Sequence, residues 1–236
     1  MRIEFDGRKL AAAIAATPVI AVAALTKYAK TYLVDEDQVN APYPGDELLP
    51  DPEASVTNMA IEIDAPPEKV WPLINQLGQT KAGFYSFSLP ERLTHFLIHN
   101  TYTPQARWQH TKAGDYMFFG QQGIGMEIVL HEPGKYLVGR SDTRKPPTQE
   151  GAIAWLPAGT REFAWSWGFY LEPLPGGRTR FLTRSKGYAE IGESKLDQIK
   201  ALTVAGLMWG WSSGPMTTRM LQVIKASAEG RPFIPS

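Results

Sequence analysis

Phe163-Ala164-Trp165-Ser166-Trp167-Gly168-Phe169-Tyr170-Leu171 is the stretch that decides the fold. Read with a period of two, Phe163, Trp165, Trp167, Phe169 and Leu171 fall on one side. Ala164, Ser166, Gly168 and Tyr170 fall on the other. A strand sends successive side chains to opposite faces, so this segment predicts a strand with one aromatic wall. Such a wall either fills a core or lines an apolar pocket, and the sequence leaves both open.

Strand-like segments continue on both sides of it. Met59, Ile61 and Ile63 alternate within Ser55–Ile63, and short strands are expected over 116–119, 125–131, 136–140 and 179–185. Glu132-Pro-Gly-Lys135 and Leu174-Pro-Gly-Gly-Arg178 supply turns between them. A helix is expected after Asp64, with prolines in its first turn, an apolar stripe of Val70, Trp71, Ile74 and Leu77, and Gly78 at its end. A second helical pattern runs from Leu89 to Ile98, and a long one from about Ser194 to Glu229. Strands grouped together and helices segregated from them predict an α+β domain, with a sheet wrapped around the final helix and a cleft between them.

The chain has 236 residues, 43% hydrophobic and 20% charged, enough for one substantial core. Its 24 basic and 24 acidic residues cancel, which argues against a general nucleic-acid binder. Cysteine is absent, which removes disulfides, thiolate metal sites and a cysteine nucleophile.

The N-terminus is a separate unit. Leu10–Thr26 carries no charge and lies between Lys9 and Lys27. Its length is at the lower limit for a membrane-spanning helix. A single-span anchor within residues 1–34 is the expectation, with Tyr28 and Tyr32 at the interface and Lys27 and Lys30 reaching toward headgroups. Arg2, Arg8 and Lys9 before the run and Ala21-Val22-Ala23 within it also fit a secretory signal peptide. A peripheral or buried helix kinked at Pro18 is the third reading. The basic residues on either side of the run point to an N-terminus inside and a main domain outside the cytoplasm. Residues 35–53 are acidic and proline-rich, so an extended, solvated tether is expected there, with the main domain at 54–236.

Ala65-Pro-Pro-Glu-Lys-Val-Trp-Pro-Leu-Ile-Asn-Gln-Leu-Gly-Gln79, with Gly83-Phe-Tyr-Ser86 and Glu91-Arg92-Leu93, resembles the opening of the SRPBCC superfamily. This is the START-like, Bet v 1-like, polyketide-cyclase-like helix-grip fold. His99-Asn100, Trp108-Gln109, Gly114-Asp115, the Trp165–Arg180 strand pair and the pattern from Met216 to Glu229 are similar to one bacterial branch of it. The resemblance covers roughly residues 55 to 230. It implies a cavity but fixes no reaction, because members include lipid and sterol carriers, quinone-binding proteins and cyclases.

The site expected from these readings is an apolar wall of Trp165, Trp167, Phe169, Met126 and Ile128, with Gln76, Tyr85, Arg180 and Arg184 orienting a ligand. Arg180 and Arg184 share one face of their strand with Leu182. If that face is inside, two guanidiniums sit over the cleft; if outside, they are solvated charges beside Glu172. His95 and His99 have the spacing of a metal pair, but no acidic cluster completes it, so no metal and no cofactor are expected. Gly120-Gln-Gln-Gly-Ile-Gly125 reads as a hairpin turn and not as a phosphate loop, since no helix follows it. The uncharged stretch Ala201–Thr218, with Trp209 and Trp211, reads as a helix buried against the sheet whose tryptophans touch a bilayer or a partner.

The function expected is a membrane-anchored, non-catalytic binder of an apolar small molecule such as a lipid, quinone or polyketide-like compound. An accessory subunit that docks a membrane protein complex through anchor and domain is the alternative, and a cyclase-like enzyme the third.

Overall fold

The computed structural model describes residues 31–52, 54–88, 97–120, 123–145, 159–192, 194–195, 198 and 212–233. The anchor run, Glu91 and Arg92, His95, and Trp209 and Trp211 lie outside them. Among the described residues no helix is long and apolar enough to cross a membrane.

Seven strands form one sheet: β1 (Thr31–Tyr32), β2 (Ser55–Ile63), β3 (Tyr116–Phe118), β4 (Gly125–Glu132), β5 (Tyr136–Asp142), β6 (Thr160–Leu174) and β7 (Arg178–Ile191), in the order β1-β2-β7-β6-β5-β4-β3. All neighbours are antiparallel except β1, which runs parallel to β2. Among the described residues the α-helices are α1 (Glu36–Asn40), α2 (Pro67–Asn75) and α3 (Thr217–Ala228). Helices α2 and α3 pack on one face of the sheet, giving the α+β helix-grip arrangement.

The sequence explains both helices. In α2, Val70, Trp71, Leu73 and Ile74 are buried, and Pro67 sits at the first turn, where its missing N–H costs nothing. The residue ahead of that turn is Pro66, and no side chain caps it. The Asp64 amide donates to Glu229 Oε1 at 2.7 Å, tying the start of α2 to the end of α3. In α3, Thr217, Met220, Leu221, Ile224 and Ala228 form the buried stripe of a 3.6-residue repeat. A π-helical turn, Ser212–Met216, leads into it and contains Pro215.

Segment 35–52 is not a solvated tether. Asp35 caps α1 through a reciprocal pair with Gln38. The chain then crosses the outer face of the sheet, where Tyr43 joins Ala60, Val138, Tyr170 and Leu182 in a second apolar cluster and Leu49 is fully buried. Gly168 makes room: a Cβ there would stand 2.1 Å from the Tyr170 hydroxyl, which instead donates to Pro44 O at 2.7 Å. Acidic residues in this segment meet bases on the sheet. Arg144 holds both Asp51 oxygens, at 2.9 and 3.0 Å. Lys186 donates to Asp46 O at 2.9 Å. The prolines and acids that suggest a tether are the contacts of a docked strap.

Arg184 is the centre of that strap. Its Nη1 donates to Val39 O at 3.1 Å and reaches Asn58 Oδ1 at 3.3 Å. Its Nε lies 2.9 Å from Asp46 Oδ1, attractive in charge but off the line of an N–H hydrogen bond. We expect Arg184→Met to raise amide exchange across residues 35–49 and to lower the melting temperature, with no loss of small-molecule binding; unchanged exchange would contradict this placement. Burial, then the neighbouring Glu172, pushes the Tyr43 hydroxyl up to about 12. Its folded pKa exceeds its unfolded one, so it adds stability below about pH 10 that is lost as pH rises toward 12. In alkaline titrations Tyr43→Phe should flatten that loss, and an unchanged slope would rule Tyr43 out as a contributor.

Candidate functional site: the aromatic face of the sheet

Register fixes what each face carries. Phe169 stands opposite Thr183, Trp167 opposite Ser185 and Leu171 opposite Phe181, so these residues share the face that packs on α2 and α3. Glu172 opposes Arg180 and Gly168 opposes Arg184 on the other face.

The inner face carries a continuous aromatic row. Phe84 stacks on Phe119 at 5.2 Å between centroids, Phe119 on Trp165 at 5.2 Å, and Trp165 on Trp167 at 5.7 Å. Trp167 meets Phe169 at 4.7 Å. Each indole also has a polar handle. Trp165 Nε1 donates to Ser185 Oγ at 2.7 Å, and Trp167 Nε1 donates to Thr183 Oγ1 at 2.6 Å. A buried indole N–H without a partner is costly. With the N–H bonded to the neighbouring strand, what remains to face inward is apolar ring.

The row has two ends. Phe169, Phe181, Met126 and Ile128 are fully buried, at 0%, 0%, 0% and 2% exposure. Space wide enough for water would leave surface on them, so these four fill the core beneath the helices. Trp165, Trp167 and Phe119 are only half-buried, and it is this end that has surface to offer a ligand. Of the expected wall, Trp165 and Trp167 have that surface; Phe169, Met126 and Ile128 are core.

The polar residues expected to orient a ligand sit elsewhere. Gln76 is fully buried with its amide fully used. Its Nε2 donates to the Tyr85 hydroxyl at 2.8 Å and to Thr103 O at 3.2 Å, and its Oε1 accepts from the Gln105 amide at 2.9 Å. The Tyr85 hydroxyl in turn donates to Leu73 O at 2.9 Å. Burial pushes that hydroxyl far above its ordinary value, so it stays protonated. Tyr85 has φ +54°, uncommon for a side chain of its size. Its amide donating to Asn100 Oδ1 at 2.8 Å helps hold that conformation. Gln76 and Tyr85 therefore form an internal knot joining α2 to residues 100–105.

Arg180 and Arg184 are on the outer face, the second of the two placements the sequence leaves open, and so do not stand over the inner face to orient a ligand. Arg180 bonds Glu62 Oε1 at 3.0 Å, and Arg184 holds the strap. The signal was in the turn: Pro175-Gly-Gly closes the β6–β7 hairpin so that Leu174 opposes Arg178, and counting back pairs Glu172 with Arg180.

A polar group without a role in the sequence reading, His131, stands beside the C-terminal half of α2. A β-bulge in β4 shifts register between Ile128 and Leu130. Leu130 therefore opposes Val138 in the outer cluster, while His131 opposes Leu137 on the inner side. Without the extra residue His131 would face out. Its ring meets Trp71 at 5.4 Å between centroids, tilted by 56°, and its Nε2 lies 3.0 Å from Asn75 Oδ1. Burial pushes its ring below the usual histidine range. Among the described residues no three metal-ligating side chains stand together, and His95 lies outside them.

Truncation should separate the two ends of the row. Phe169→Ala should cost about 3–5 kcal/mol in chemical denaturation, as a core deletion does. Trp165→Leu should cost clearly less, since Trp165 keeps part of its surface exposed and leucine retains part of its apolar bulk. Equal costs would mean that the Trp165 end is as tightly filled as the core.

No protein-family model matches the sequence, and no curated protein matches it. The fold is similar to solved structures at low identity. A protein from Mesorhizobium loti is 17% identical over 76% of this chain and 100% of its own, with a TM-score of 0.38. A hypothetical protein from Helicobacter pylori is 12% identical over 80% of this chain and 96% of its own, with a TM-score of 0.41. The Zhui aromatase/cyclase from Streptomyces sp. R1128 is 12% identical over 75% of this chain and 94% of its own, with a TM-score of 0.30.

Proposed function

We propose that this chain is a membrane-anchored, non-catalytic binding protein for a small apolar molecule, quinone-, polyketide- or lipid-like, that lies against Trp165 and Trp167. The observation that carries this reading is the half-buried indole pair whose N–H groups are already bonded to Ser185 and Thr183. Such a surface offers stacking and apolar burial without demanding a hydrogen bond from its ligand. With Arg180, Arg184 and Gln76 engaged elsewhere, selection rests on shape and ring character more than on polar contacts.

The membrane part of the proposal rests on the uncharged Leu10–Thr26 run and on how little chain follows it. Only Lys27–Lys30 separate that run from β1, and the strap after β1 is docked on the sheet. An anchor there holds the domain close to the bilayer surface instead of on a long leash. Leu33, 63% exposed with φ +53°, is an apolar residue presented at this end. An anchor of that length and alanine content gains little from lipid alone and packs best against another membrane helix.

Native mass spectrometry of detergent-extracted full-length protein checks the reading. The expected result is an added mass of a few hundred daltons that is lost in Trp167→Ala. A protein partner instead, with no small-molecule adduct, would favour the accessory-subunit reading. In fractionation the protein should stay with membranes through a high-salt wash and leave them only in detergent; release by salt alone would remove the anchor.

A further inference from the structure

The pocket at the C-terminal end of α2 is built differently from the aromatic face and does not depend on it. It is about 190 Å³ in volume and lined by Lys81, Arg107, Trp108, His110, Thr111 and Asp115. Three separate pieces of chain meet there: the turn after α2, the short helical turn Ala106–Trp108, and the loop that enters β3.

Its cations are under-used. Lys81 Nζ donates to Thr111 Oγ1 at 2.6 Å. That hydroxyl spends its own proton on Asn75 O at 2.8 Å, which leaves it a pure acceptor toward the lysine. An ammonium has three donors, so two remain. Among the described residues no carboxylate forms an ion pair with Lys81, and burial pushes its ammonium below the usual lysine range, with Asp115 only partly opposing that. Arg107 is exposed and lies over the Trp108 ring at 4.4 Å. Stacking holds the guanidinium plane while leaving its N–H edge free for a flat or tetrahedral oxyanion. The one carboxylate in the lining, Asp115, is itself held by the Lys112 amide at 2.9 Å. Burial disfavours the charged form of nearby His131. Two fixed positive charges therefore face one negative charge across a pocket with room for a small group.

We propose that this pocket binds a small oxyanion, a carboxylate or a phosphate, between the Lys81 ammonium and the Arg107 guanidinium. The bound charge satisfies the two idle ammonium donors and offsets the desolvation of Lys81. Asp115 weakens binding of a bare anion and accepts a hydrogen bond from one that carries a hydroxyl.

Isothermal titration calorimetry on the detergent-extracted full chain tests this, with sodium phosphate and sodium succinate as probes and sodium chloride at matched ionic strength as reference. Wild-type protein is expected to bind at least one probe with a dissociation constant of about 1 mM or below, and chloride not measurably. Lys81→Met and Arg107→Gln should each weaken binding about tenfold or more, and Asp115→Asn should tighten it several-fold. Phosphate-only or succinate-only binding identifies which oxyanion the site takes. Binding that is equal in wild type and Arg107→Gln, or indistinguishable from chloride, overturns the proposal. Arg107 is exposed, so its variant folds even where Lys81→Met does not, and near-ultraviolet circular dichroism verifies this.

Discussion

Two indole-to-hydroxyl hydrogen bonds, Trp165 to Ser185 and Trp167 to Thr183, set what the inner face of the sheet can do. They cross between β6 and β7, the longest strands, and they fasten both rings to the sheet. The rest of the inner face follows from the same pairing. Phe169 and Phe181 continue the row beneath α2 and α3, where side chains from both helices close over them. Hydroxyl residues on β7 thus do for the indoles what packing alone would not: they satisfy the one polar atom of each ring and leave a wholly apolar surface.

The outer face obeys the same period of two and carries the opposite chemistry. Arg180, Arg184 and Lys186 project there; Glu62 meets Arg180, and the strap at 35–52 brings backbone carbonyls and an acid to Arg184 and Lys186. The central part of this face is nonetheless apolar, with Leu182, Val138 and Tyr170 under Tyr43. Both sides of β6–β7 are therefore covered, one by helices and one by irregular chain.

Much of this was legible in the sequence. Alternation marked β2 and β6 closely, and the Val70–Trp71–Ile74 stripe marked α2, because half-buried elements must repeat with the geometry of their backbone. The side on which Arg184 stands was not legible from periodicity, because Leu182 between the arginines looks like a core marker. It is one, but of the second cluster on the outer face. The strap was missed for a related reason. Prolines and acids resemble a tether until their bases are known, and Arg144, Arg184 and Lys186 lie far away in sequence. The inward turn of His131 depends on a bulge, which leaves no mark in an alternation pattern. The pocket at Lys81 depends on three loops coming together, and no local spacing encodes that.

The central claim is that the Trp165–Trp167 end of the aromatic row receives an apolar ligand while the Phe169 end is closed core. Indole N–H resonances of protein labelled with nitrogen-15 at tryptophan, followed during titration with menadione as a flat quinone probe, test it most directly. The account predicts saturable shifts at Trp165 and Trp167, abolished for the remaining indole when its partner is changed to Leu, with the signal of Trp71 beneath His131 unmoved. Shifts confined to Trp71 or Trp108, or none at any indole at saturating probe, would contradict it.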